Sequence, residues 1–136
     1  MDDRVKSILA WLRKSPEFCE QADFSDINVC AIDGDNALHW VVRSRDRSAA
    51  KSLIDAGINL NKAGDLGYTP LHVACMRGDL EMVRLLVESG AGVFANSEID
   101  TTPFASARLA GHDRICKLLR PLMKARNRKT HKFGHG

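Results

Sequence analysis

The chain lacks most features that would assign a function directly. No apolar stretch approaches the ~18 residues of a membrane span. The N-terminal MDDRVKSILAWLRK leads with acids and breaks its apolar run with charge, unlike a secretory signal. Four cysteines (Cys19, Cys30, Cys75, Cys116) form no C-x-x-C pair, so a disulfide framework is not expected. Small buried hydrophobes in a reducing, cytoplasmic compartment are the better expectation. The glycine-bearing stretch Gly64–Thr69 has no following Lys-Ser/Thr and no strand-to-helix context, which excludes a phosphate cradle. No serine, cysteine or carboxylate stands at a triad spacing from His39 or His72. No enzyme activity, cofactor or small-molecule substrate is therefore expected. His131 and His135 are four apart, but Asn127, Thr130 and the glycines beside them argue against a helix that would make a metal site.

Charge is unevenly placed. The 136 residues carry a formal +3, and the five cations Lys124, Arg126, Arg128, Lys129 and Lys132 account for more than all of it. Without them the rest carries −2, which makes the basic character a property of the tail. Residues 124–136 read as a frayed, mostly disordered segment. Such a tail could contact nucleic acid or an acidic surface. It has no interleaved aromatic beyond Phe133, and acids elsewhere would repel phosphate, so nucleic acid is the alternative rather than the leading partner.

What the chain does have is a period. Leu38, Leu71 and Phe104 are spaced by 33 residues, each within a related phrase: Asn36–Val41, Thr69–Ala74 and Thr102–Ala107. The central phrase TPLHVA fits the signature T-P-L-H-x-A residue for residue, and 33 is the matching repeat length. Thr69 can cap a helix whose first turn accepts Pro70. Leu71, Ala74 and Cys75 then share one face, and Leu80, Val83, Leu85, Leu86 and Val87 form the apolar stripe of a second helix after Gly78-Asp79. Gly90 ends the unit.

On these residues the chain resembles the ankyrin-repeat family from about residue 25 to 123. The resemblance implies an all-α solenoid of stacked antiparallel helix pairs with hairpin-like fingers between them. The expected organisation is one domain over 1–123, with repeats at 25–57, 58–90 and 91–123. Residues 1–24 are expected to form a degenerate capping pair, with helices over 3–14 and from Pro16. A helical pair unrelated to the repeat is the alternative. Trp11 fits neither stripe and is either partly packed or a contact residue. The units depart from the pattern at Asn36-Ala37, Arg45, Phe94, Asp100 and Ala105. Asp100 and Phe94 put the third finger's turn in doubt, and Pro121 is expected to kink or end the last helix.

In the family the histidine at the start of the inner helix holds the adjoining finger, a structural role that carries over to His39 and His72. Partners dock on the fingertips and on the exposed side of the first helix of each pair. Mapped onto this chain, those positions are Ile32, Asp33 and Asp35; Asp65, Leu66 and Tyr68; Glu98 and Ile99; and Arg43, Met76, Arg77 and Leu109. Apolar residues ringed by acids fit a protein interface, with a basic partner favoured by steering. A chain of this length beginning with methionine also resembles small bacterial ankyrin proteins, some of which act as immunity proteins of toxic enzymes. The expectation is thus a monomeric protein-binding module, with inhibition of a basic enzyme as its sharper form and no membrane partner.

Overall fold

The computed structural model describes the backbone of residues 2–134 and the side chains of residues 2–125. Among these, the regular elements are seven α-helices and one 3-10 turn. They are α1 (Asp3–Leu12), α2 (Ala37–Arg43), α3 (Arg47–Asp55), α4 (Pro70–Arg77), α5 (Leu80–Glu88), α6 (Pro103–Leu109) and α7 (Asp113–Gly134), with the 3-10 turn at Asp65–Gly67.

After α1 the helices fall into three pairs, α2–α3, α4–α5 and α6–α7. The inner helices α2, α4 and α6 stack on one another, and the outer helices α3, α5 and α7 form a second layer behind them. Helices α1 to α6 each begin where a side chain satisfies an orphan amide. Asn36 caps α2, Thr69 caps α4 and Thr102 caps α6; Asp46 and Asp79 cap α3 and α5. Pro70 and Pro103 occupy the first turns of α4 and α6, where a missing N–H costs nothing. The core runs the length of the stack through Leu38, Leu53, Leu71, Met82, Leu86, Ile115 and Leu119, all essentially solvent-free.

Positions that break the repeat's glycine pattern keep its geometry. Arg45 adopts φ 60° where Gly78 (72°) and Gly111 (80°) stand in the other units. Asp100 likewise adopts φ 60° where Gly34 (99°) and Gly67 (75°) stand, and its N–H still closes the turn onto the Ser97 carbonyl. Tertiary contacts offset the strain of a left-handed non-glycine residue. The Arg45 guanidinium bonds the Arg77 carbonyl at 2.8 Å, tying this corner to the next unit.

The N-terminal end departs from the capping pair. Only α1 is helical, and no second helix begins at Pro16. Short-range side-chain bonds compete with a helix there. Asp23 accepts from the Ser25 amide at 2.9 Å, Asp26 accepts from the Asn28 amide at 2.9 Å, and the Ile32 amide reaches back to the Glu17 carbonyl at 2.8 Å. Phe18 is drawn inward, with its ring centroid 5.9 Å from Trp40 and 5.2 Å from Phe24. Trp11 meets Trp40 edge-on at 6.2 Å while staying half exposed. Helix α1 packs mainly on α3 and less on α2, so it lies over the seam of the first pair instead of continuing the inner layer.

At the other end, α7 does not stop at Pro121. The carbonyl that proline leaves unbonded belongs to Lys117, an exposed residue, so water can satisfy it. The backbone stays helical to Gly134 and covers most of the segment expected to be a disordered tail. Lys, Arg and Ala are good helix formers, and cations suit a helix C-terminus.

Leu71→Ala, in the solvent-free centre of the stack, should lower unfolding free energy by about 2–5 kcal/mol. Leu109→Ala, with its side chain in solvent, should change it by less than about 0.5 kcal/mol. Urea titrations of the two variants beside the parent check this.

Candidate functional surface

Two histidines fix the edge of the stack. The Asn36 amide donates to His39 Nδ1 at 3.1 Å, and the Thr69 amide donates to His72 Nδ1 at 3.1 Å. A ring nitrogen that accepts a proton bond carries none of its own, so each ring holds its hydrogen on Nε2. From there His39 donates to the Tyr68 carbonyl at 2.8 Å and His72 to the Thr101 carbonyl at 2.7 Å. Each imidazole thus joins the start of its own inner helix to the end of the next finger. Both rings are fully buried, and burial holds both pKa values below the ordinary 6.5. The third unit has Ala105 at this position, where no further finger follows in the described structure.

A parallel ladder joins the bases of the fingers. Asn28 Oδ1 accepts from the Asn59 amide at 2.9 Å, and Asn61 Oδ1 accepts from the Gly92 amide at 2.8 Å. Phe94 occupies the third position of this ladder. The fingertips are tied as well: the Asp65 amide donates to Asp35 Oδ1 at 2.9 Å, and the Glu98 amide to the Leu66 carbonyl at 2.9 Å. The result is one continuous, hydrogen-bonded edge.

The expected contact residues separate into two groups. Ile32 and Asp33, Asp65 and Leu66, and Glu98 and Ile99 are exposed at successive fingertips. Ile32 is 76% exposed, Leu66 49% and Ile99 60%. Arg43, Met76 and Leu109 share one register position on the three inner helices, 33 residues apart. Arg43 and Leu109 are exposed, Met76 is half buried, and Arg77 is exposed beside it. Tyr68 is half buried, its ring 5.5 Å from that of His72, and so belongs as much to the edge's structure as to its surface.

Asp35 is the correction. Expected at a fingertip, it is only 1% exposed. One carboxylate oxygen takes the Asp65 amide and the other takes the Arg43 guanidinium at 2.7 Å, with His39 Nε2 3.9 Å away. Burial opposes its charge, but the Asp65 amide and then the Arg43 guanidinium hold its carboxyl below the ordinary value. Periodicity could not show this, because the equivalent residues are Tyr68 and Thr101 and carry no charge. The exposed acid that the sequence reading left out of the surface is Asp100, hidden by its role as a glycine substitute.

Chemistry of another kind has little footing. Burial, and then the neighbouring Cys116, push the Cys75 thiol up to about 12, so it remains an unreactive thiol near neutrality. Among the described residues no three His, Cys, Asp or Glu side chains are grouped to hold a metal ion. The side chains of His131 and His135 lie outside those described. No helix among the described residues is long and apolar enough to cross a membrane.

A stack of short helix pairs with a tied row of fingers defines a class of protein, the helical-repeat solenoid that presents an extended surface. The family model described as ankyrin repeats in three copies matches residues 5–97, and the chain belongs to the ankyrin-repeat family. It is 35% identical over 92 residues to the potassium channel GORK of Arabidopsis thaliana, covering 68% of this chain and 11% of the channel. It is 36% identical over 77 residues to Protein PhlB of Serratia liquefaciens, covering 56% of this chain and 34% of that protein. It is 34% identical over 107 residues to the serine/threonine-protein kinase VIK of Arabidopsis thaliana, covering 78% of this chain and 23% of the kinase. The chain thus spans between 11% and 34% of the length of these relatives. Ankyrin repeats are generally protein–protein interaction modules, and the fold is typically non-catalytic.

The histidine bridges generate a pH dependence. A group whose folded pKa lies below its unfolded value stabilises the fold above the unfolded pKa and stops doing so as pH falls. Stability should therefore decline from about pH 6.5 downward, as the unfolded chain takes up protons that His39 and His72 refuse when folded. Urea midpoints at pH 7.5 and 5.5 should differ in that order. The difference should shrink in a His39→Gln, His72→Gln double variant.

Proposed function

We propose that this chain is a non-catalytic, monomeric protein-binding module that engages its partner through the fingertips and the exposed side of the inner helices. The observation that carries this reading is the set of exposed apolar residues, Ile32, Leu66 and Ile99 on successive fingers and Leu109 on the last inner helix. Helix packing does not need them there, and hydrogen bonding holds their backbone in place. Large apolar side chains on a rigid frame lose little entropy on docking. Asp33, Asp65, Glu98 and Asp100 are exposed around them. Such a rim speeds encounter with a basic surface and discourages an acidic one.

The sharper form of the reading is an inhibitor, or immunity protein, that covers a basic toxic enzyme. It is supported by the acidic rim and by free cysteines compatible with a reducing, cytoplasmic setting. It requires that the captured protein lose activity at one-to-one binding. Asp35 has no part in capture, since its carboxylate is occupied within the fold.

Affinity capture from the source cell followed by titration with the purified partner tests both levels. Leu66→Ala with Ile99→Ala should weaken binding about a hundredfold while leaving the urea midpoint unchanged, because each buried anchor contributes more than about 1 kcal/mol. Asp33→Lys with Asp65→Lys should slow association and reduce its salt dependence. An unaltered affinity in the first variant would remove the proposed surface. Unaltered kinetics in the second would remove the basic partner and leave the module.

A further inference from the structure

The last unit of the stack carries charge where the repeat calls for apolar side chains. Three register positions on the inner helices are solvent-free in α2 and α4, where a further unit follows. They hold Leu38, His39 and Val42 in α2, and Leu71, His72 and Cys75 in α4. In α6 the same positions hold Phe104, Ala105 and Arg108. Phe104 and Ala105 are half buried there, and Arg108 is exposed. Phe104 and Arg108, four residues apart, are neighbours on the helix surface. The Arg120 guanidinium reaches the same ring from α7, 5.5 Å from its centroid. An aromatic ring and two guanidiniums are thus gathered at the end of the inner layer. The other cations between Thr101 and Ala125 are Arg114, Lys117 and Lys124, against one acid, Asp113. A terminal unit needs a polar outer face to stay soluble. Arg108 meets that need, but a half-exposed phenylalanine, where the other units hold leucine, works against it.

We propose that this end of the stack docks an acidic amphipathic helix of a partner protein, in the place that a further inner helix would take. The shape follows from the stack itself. Helix α2 packs on α4 and α4 on α6, so the open side of α6 is formed to receive a helix. Ala105 stands where His39 and His72 bridge to a following finger. With a methyl in place of an imidazole, a docked helix can approach the α6 backbone closely. Phe104 offers its ring to the apolar stripe of that helix, and Arg108 and Arg120 take its carboxylates in charge-assisted hydrogen bonds. Charge decides the occupant. A second copy of this chain seated end to end would bring like guanidiniums against each other, which is repulsive. The phosphates of a duplex would satisfy the guanidiniums but offer Phe104 nothing apolar.

The probe is a fluorescein-labelled peptide of about 18 residues, long enough to be helical, made of Leu, Ala and Glu with Leu along one stripe and Glu beside it. The full chain is titrated into it at low salt, with anisotropy as the readout. Binding should saturate with a Kd of about 10 μM and weaken as salt is added. A peptide of the same composition with its Leu dispersed around the helix should bind at least about tenfold more weakly, because it cannot meet Phe104 and both guanidiniums together. Arg108→Gln with Arg120→Gln should weaken binding of the striped peptide about tenfold or more. Phe104→Leu, which restores the residue of the other two units, should weaken it about threefold. Both variants should keep the parent's urea midpoint, and Leu66→Ala with Ile99→Ala should bind the peptide as the parent does. Absence of saturable binding at about 200 μM chain would overturn the proposal. Equal binding of the dispersed peptide, or of the double arginine variant, would do the same. Loss of binding in the Leu66→Ala, Ile99→Ala variant would overturn it in favour of the fingertips. Binding of a DNA duplex without binding of the peptide would overturn it in favour of nucleic acid. Self-association in sedimentation velocity that the arginine substitutions abolish would overturn it in favour of a second copy.

Discussion

Two neutral imidazoles hold this structure in register. Nδ1 of His39 and of His72 accepts from the amide of the residue that caps its own inner helix, and Nε2–H donates to a carbonyl one unit further on. The two roles require a single tautomer, and protonation would place a second hydrogen against an amide that is already a donor. Burial keeps the rings uncharged, so the environment that needs the tautomer also enforces it. Because each bond leaves its own unit, a unit's edge is complete only when its neighbour is in place, and stability in such stacks comes from nearest-neighbour contact.

The same constraint explains how the ends differ from the middle. Outward-bridging groups are present wherever a further unit follows: Asn28 and Asn61 at the finger bases, His39 and His72 at the helix starts. In the last unit these positions hold Phe94 and Ala105. Phe104 stands where Leu38 and Leu71 are solvent-free, yet it is half buried and covered by the Arg120 guanidinium. At the opposite end, α1 lies across the seam of the first pair, and Phe18, Phe24, Trp11 and Trp40 fill the space beside it. That plug leaves the buried Trp40 Nε1 without a partner, a local cost of about 1–3 kcal/mol set against a large aromatic burial.

With the bridges internal, charge sorts onto separate surfaces. Asp35 and Arg43 neutralise one another at the base of the first finger, whereas Asp33, Asp65, Glu98 and Asp100 remain in solvent at the tips. Cations collect along the outer face of α7. A net charge of +3 averages over these and describes neither.

The period of 33, the caps at Asn36, Thr69 and Thr102, and the apolar stripes are local, and each was legible in the sequence because helix capping and amphipathicity depend on neighbours three or four residues away. Tertiary structure decided what local pattern cannot. Asp35 turns inward because an amide thirty residues later and a guanidinium eight residues later meet at its carboxylate. Residues 16–24 stay out of a helix because local side-chain bonds and the pull of Phe18 toward Trp40 outweigh a proline that favours a helix start. Asp100 and Arg45 keep glycine geometry while their amides close turns onto the Ser97 and Val42 carbonyls. Periodicity records which side of a helix is apolar. It holds no record of which distant backbone group a polar side chain will meet.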